Sequence, residues 1–74
     1  AYYNLGNILN AKGDLQAAID SYKKALKMKP DFAEAYNNMG NVLKYKGDFQ
    51  AALDSYKQAL KIKPDYAEAY FSMA

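Results

Sequence analysis

The chain has 74 residues, 51% of them apolar, and its ten lysines and eight acids leave a net charge of +2. A domain this small buries only about 60% of the surface its unfolded chain exposes, so it supports one modest core. It contains no Cys, His, Trp or Arg, which excludes disulfides and zinc–thiolate sites, the side chain that titrates near neutrality and the bidentate cation that reads phosphate and guanine. No apolar run approaches the roughly 20 residues of a bilayer span, and no signal peptide is evident. Neither nucleic acid nor a membrane is expected as a partner, and no cofactor is implied. The chain opens on Ala1 rather than Met and reads as part of something longer.

Residues 1–34 and 35–68 align without a gap and differ at ten of 34 positions, most of the changes keeping size and polarity (Leu5/Met39, Ile8/Val42, Leu15/Phe49, Ile19/Leu53). The elements therefore come as copies of one unit. The first helix carries Tyr2, Leu5, Gly6, Ile8 and Leu9 on its packing face, and Gly13 supplies the left-handed residue that ends it. A Gly inside a helix costs about 1 kcal/mol against Ala. Its recurrence at Gly6 and Gly40 predicts close approach of the next helix, with Ala18 and Ala52 as the facing small residues. The second helix follows Asp14, an N-cap candidate. Leu15, Ala18, Ile19, Tyr22, Ala25 and Leu26 form its apolar stripe at a period of 3.6. Asp20 and Lys24 face outward as an i,i+4 pair, and Pro30 stops the helix.

The second unit repeats each signal. Asp31 and Glu34 predict a capping box for a third helix running to about Lys46, with Tyr36, Met39, Gly40, Val42 and Leu43 on its packing face. Gly47 ends it. Asp48 caps a fourth helix over Phe49–Ile62, which Pro64 closes, and Lys61 and Lys63 sit at its negative end. A third copy begins at Ala67. Ordering its eight residues costs roughly 8–16 kcal/mol of backbone entropy against about 3–6 kcal/mol from burying Tyr70 and Met73, so this end is expected to fray or to be covered by a neighbour. The fold class is all-α: tandem antiparallel helix-turn-helix repeats, a solenoid fragment. Residues 1–32 are a first repeat lacking its first residues, 33–66 a complete repeat and 67–74 the start of a third.

The unit resembles the tetratricopeptide repeat, whose 34-residue pattern carries an aromatic, a Leu-Gly pair, then Ala, an aromatic, Ala and Pro. Tyr36, Met39, Gly40, Ala52, Tyr56, Ala59 and Pro64 hold those places, as do Tyr2, Leu5, Gly6, Ala18, Tyr22, Ala25 and Pro30. Tyr stands for the usual Trp, and Met39 for Leu. The resemblance implies helix pairs stacked into a right-handed superhelix with the first helix of each pair lining the concave face. The run AYNNMGNVLKYKGD is most similar to the repeat arms of O-linked N-acetylglucosamine transferases.

Once the packing stripes are subtracted, the first and third helices keep Asn4, Asn7, Asn10, Asn37, Asn38 and Asn41. Asn is a poor interior helix former, and its amide can match both the N–H and the C=O of an extended peptide. Asn4 and Asn38 are equivalent one unit apart, as are Asn7 and Asn41, so stacking makes two ladders, the first of which breaks at Ser72. The resemblance implies that such a ladder holds peptide backbone; the bland alternative is that the amides solvate a helix face or bond to one another. Tyr2, Tyr22, Tyr36, Tyr56 and Tyr70 fall at packing positions. Tyr3, Tyr45 and Phe71 fall on the side the resemblance makes concave, where they either stack on a ligand or cover the open ends. A carboxylate clamp, the family's other mode, is matched at Asn7 and Asn38, but its cationic places hold Tyr3, Glu68 and Ser72. Lys23, Lys24, Lys27, Lys57 and Lys61 read as a solvated outer face.

Catalysis has no support in the sequence. Ser21, Ser55 and Ser72 lack a base, and neither a phosphate-binding Gly loop nor a metal-ligand cluster occurs. Two functions compete: a scaffold that binds a protein or peptide partner, and a spacer that self-associates through its open ends.

Overall fold

Among the described residues five helices follow one another: α1 (Tyr2–Ala11), α2 (Leu15–Met28), α3 (Ala33–Lys46), α4 (Phe49–Ile62) and α5 (Ala67–Met73). The computed structural model describes residues 1–73, the Met73 side chain excepted. No strand occurs among the described residues. The expected burial of Met73 and the place of Ala74 lie outside that description.

Most of the punctuation works as the sequence predicts. Gly13 and Gly47 take φ of 84° and 93°, the left-handed region that suits a residue without Cβ. After each, the amide of Asp14 or Asp48 donates to the carbonyl of Leu9 or Leu43 at 2.9 Å. That bond satisfies a carbonyl the helix end leaves open. Lys29 and Lys63 stand in extended geometry, as residues before proline must. The first correction is the capping box. The N-cap of α3 is Phe32, not Asp31, and it makes no side-chain cap bond. The amide of Phe32 donates to Lys29 O at 3.2 Å, closing a turn that holds Pro30 and Asp31 and leaves Asp31 one residue short of the cap. Aromatic packing anchors this start instead: the Phe32 ring lies 4.6 Å from that of Tyr3, and Lys29 sits 4.9 Å above it.

The second correction concerns the glycines. A Cβ on Gly6 would lie 2.6 Å from Cε1 of Tyr22, and one on Gly40 2.6 Å from Cε1 of Tyr56. Ala18 and Ala52 are buried, but the body pressed against each glycine is a tyrosine ring.

Capping differs between the copies. Asp48 accepts from the amide of Ala51 at 3.4 Å, whereas Asp14 makes no cap bond. Asp48→Ala is therefore expected to cost about 0.5–1 kcal/mol and Asp14→Ala a few tenths, read as urea midpoints of the two variants at equal slope.

The core lies between units. Ala18, Ile19, Tyr22 and Leu26 of α2 meet Ala35, Met39 and Val42 of α3, and Ala33, Ala59, Tyr66 and Ala69 form a smaller cluster at the next joint. This explains why the same face fares differently in two copies: Val42 is fully buried, while its counterpart Ile8 is 53% exposed. α2 covers α3, and no described residue covers the outer side of α1, so Tyr2 and Leu5 are exposed there too. At the other end Tyr70, expected to be buried, is 53% exposed, and Tyr66 and Ala69 carry the docking of α5. The Asp20–Lys24 pair also gives way. Asp20 accepts from Gln16 Nε2 at 3.2 Å, and Lys24 sits 5.5 Å from the Tyr2 ring centroid. An exposed i,i+4 pair is worth only a few tenths of a kcal/mol, so a ring contact readily displaces it.

Curvature follows from which helices touch. The backbones of α1 and α3, and of α3 and α5, approach one another, whereas those of α2 and α4 stay farther apart among the described residues. The side of the first helices is thus the shorter one, and it forms the inner face of the bend.

Candidate functional site

On that inner face the asparagines of adjacent units meet. Asn38 Nδ2 donates to Asn7 Oδ1 and to the Tyr3 hydroxyl, both at 3.0 Å. Asn7 Oδ1 also accepts from the Tyr22 hydroxyl at 2.5 Å. In the next unit Asn41 Oδ1 accepts from Tyr56 at the same distance. Gly6 and Gly40 make this possible, because only the missing Cβ lets each ring cross its helix. The network joins α1, α2 and α3 through the half-buried Tyr3, Asn7 and Asn38 and the fully buried Tyr22, and leaves further polar groups along the strip.

Of the residues expected here, Asn4 is exposed and Asn7, Asn38, Asn41 and Asn10 are partly buried. Asn37 departs from the set: it is 2% exposed, and its Oδ1 is buried without a hydrogen-bond partner. It therefore cannot reach a ligand lying on the strip. The signal was in the repeat itself, since the place of Asn37 is held by Tyr3 and Phe71 in the other copies, so no amide recurs there. Tyr3 is half-buried against the core and lies 6.1 Å from Tyr22 as well as against Phe32. Tyr45 and Phe71 are both largely exposed. Tyr45 borders an open hollow of about 420 Å³ with Asn10, Ala11, Lys12, Gly13 and Leu15. Another, of about 390 Å³, is bordered by Ala1, Tyr2, Leu5 and Met28. Neither holds the amide row, which is an open strip suited to an extended chain rather than a pocket for a small molecule. Lys44 donates to Ser72 O at 3.2 Å, tying α5 to α3.

Burial sets the tyrosine chemistry. It is the main cause pushing the Tyr22 hydroxyl up to about 12, with Tyr3 reinforcing it and the Asn38 amide opposing. Tyr56 is raised, again chiefly by burial. The hydroxyls under the strip are therefore neutral donors at physiological pH. The sequence pattern places Tyr22 and Tyr56 in the core and is silent on their hydroxyl ends; Gly and Tyr recurring together, 16 residues apart in both copies, is the available clue. No group of three His, Cys, Asp or Glu that could hold a metal occurs among the described residues.

A curved stack of helix pairs with a polar inner strip defines a helical-repeat module. The chain belongs to the tetratricopeptide repeat family: one family model, described as TPR repeat, matches residues 6–44, and another, described as tetratricopeptide repeat, matches residues 33–66. Among solved structures it is similar to two crystal structures of MamA, at 33% identity and TM-scores of 0.95 and 0.94. The similarity covers 97% of this chain and 42% and 39% of those chains, so it spans about two fifths of their length. No curated protein matches the sequence.

Proposed function

We propose that the chain is a protein–protein interaction scaffold that holds an extended peptide segment along its inner strip through Asn4, Asn7, Asn38 and Asn41, with Tyr45 and Phe71 as flanking apolar surface. The observation that carries this is the convergence of Asn38 on Asn7 across the joint between units, which puts amides of successive repeats on one strip. The repeat arm of O-linked N-acetylglucosamine transferase, which the sequence resembles, offers a functional parallel: there asparagines at the place of Asn4 and Asn38 hold peptide backbone.

The probe is a peptide selected from a random display library against the wild-type chain. Asn4→Ala with Asn38→Ala is expected to weaken it about tenfold. Ser72→Asn, which restores the third rung and lets an amide reach Asn41 as Asn38 reaches Asn7, should strengthen it. Unchanged affinity in the double variant removes the ladder mechanism.

A second reading, end-to-end stacking of copies, is favoured by the exposed face of Tyr2, Leu5 and Ile8; the counterparts of Leu5 and Ile8, Met39 and Val42, are buried. A chain that sediments as a monomer at every concentration refutes it.

A further inference from the structure

We infer that Tyr22 and Tyr56 are positioning residues: their hydroxyls fix which way the Asn7 and Asn41 amides face. At Asn7 and Asn41 the strip then offers N–H donors, which hold backbone carbonyl oxygens of its partner. The carbonyl-binding half of this rests on the scaffold reading above; the orientation of the amides does not.

The geometry runs from the glycines outward. Each ring is buried, and it crosses its helix where Gly6 or Gly40 leaves room. Its hydroxyl thereby arrives at the amide of the following residue, Asn7 or Asn41, at 2.5 Å. A phenol has one hydrogen to give, and these amide oxygens accept it. Turning either amide over would face Nδ2 to the hydroxyl and take that acceptor away from the O–H. That is the costly arrangement for a buried polar group. The repeat supplies the same arrangement twice, with a second donor, Asn38 Nδ2, reinforcing it at Asn7.

With both oxygens turned inward, the nitrogens of Asn7 and Asn41 remain. They have no protein partner among the described residues, and neither is a buried unpaired atom. Each offers N–H donors to whatever lies on the strip. The complementary group is a neutral acceptor that recurs along a chain, which is the backbone carbonyl of an extended segment. An anion suits the strip less well. The lysine nearest in the sequence on that helix, Lys44, already donates to Ser72 O, and a carboxylate or phosphate would be desolvated against neutral amides.

The test uses the display-selected peptide and three pairs of substitutions. Asn7→Asp with Asn41→Asp keeps an inward acceptor for each hydroxyl and replaces the outward donor. It is expected to weaken the peptide at least about tenfold while the chain stays folded. Tyr22→Phe with Tyr56→Phe leaves the rings in place and frees the amides. It should weaken binding about threefold to tenfold and, without any peptide, shift and broaden the Asn7 and Asn41 side-chain NH₂ signals in ¹⁵N-resolved NMR spectra. Should the Phe pair leave those signals and the affinity as they were, the lock is wrong. A full loss with Asn7→Ala and Asn41→Ala, but none with the Asp pair, would overturn carbonyl recognition and leave the site standing. If the Ala pair itself costs no affinity, carbonyl holding falls together with the role of these two amides, while the NMR signals still judge the lock. Affinity that drops steeply with salt would identify an anionic ligand instead and overturn the carbonyl assignment.

Discussion

Gly40→Ala is expected to destabilise the chain by about 2 kcal/mol, although Ala is the better helix former. The propensity gain from Gly to Ala is about 1 kcal/mol. Against it, the new Cβ would stand 2.6 Å from Cε1, 2.8 Å from Cδ1 and 3.0 Å from Cζ of Tyr56. That ring cannot swing aside cheaply, since it is buried and its hydroxyl is held by Asn41. Forcing atoms into a filled core costs roughly 1–3 kcal/mol, occasionally more, and so tight a contact belongs at the high end. In a domain of this size a net 2 kcal/mol lowers the melting temperature by roughly 8–16 °C. Gly6→Ala meets the same contact in Tyr22, but α1 has an uncovered outer side and can shift, so its cost should be smaller. In a Tyr56→Leu background the Gly40→Ala penalty should largely vanish, because the ring that creates it is gone. A Gly40→Ala chain melting at or above wild type would mean that helix propensity outweighs the ring contact.

The same pairing marks what the sequence could and could not convey. Helix ends were legible because each has a local chemical cause. Gly13 and Gly47 must take positive φ, and Pro30 and Pro64 cannot continue a helix. Asp31 was misread because Pro30 builds a turn that moves the cap on by one residue, a shift that composition does not encode. The partner of Gly40 was misread for a different reason. A period of 3.6 places a residue on a face but does not say how far a neighbour's side chain extends, and a tyrosine reaches across a helix where an alanine cannot. Asn37 and Asn38 divide in the same way. They are adjacent in sequence and about 100° apart around a helix, so one turns into the joint and the other onto the strip. Only comparison with Tyr3 and Phe71 separates them. The open faces of α1 and α5 depend on what covers each helix in space, which pattern alone does not determine.

Strong alkali is expected to unfold the chain between pH 10 and about 12, and the tyrosines set that window. Tyr22 and Tyr66 are both pushed from about 10 to about 12. For Tyr66 burial is the main cause, with Glu68 and Glu34 adding to it. A phenol held above its unfolded value binds its proton more tightly in the folded chain. Its contribution to stability is therefore complete below pH 10 and is lost as pH rises through the folded value. A tenfold difference in proton affinity between the folded and unfolded chain corresponds to about 1.4 kcal/mol. The two tyrosines together therefore withdraw a few kcal/mol, comparable to the whole stability expected of a single small core. Tyr66→Phe isolates the effect, and Phe32 already fills the equivalent place one unit earlier. The variant should match wild type at pH 7 and hold its fold to higher pH, with the helical circular dichroism midpoint of a pH titration as the readout. Coincident midpoints for the two chains would show that Tyr66 does not titrate with unfolding.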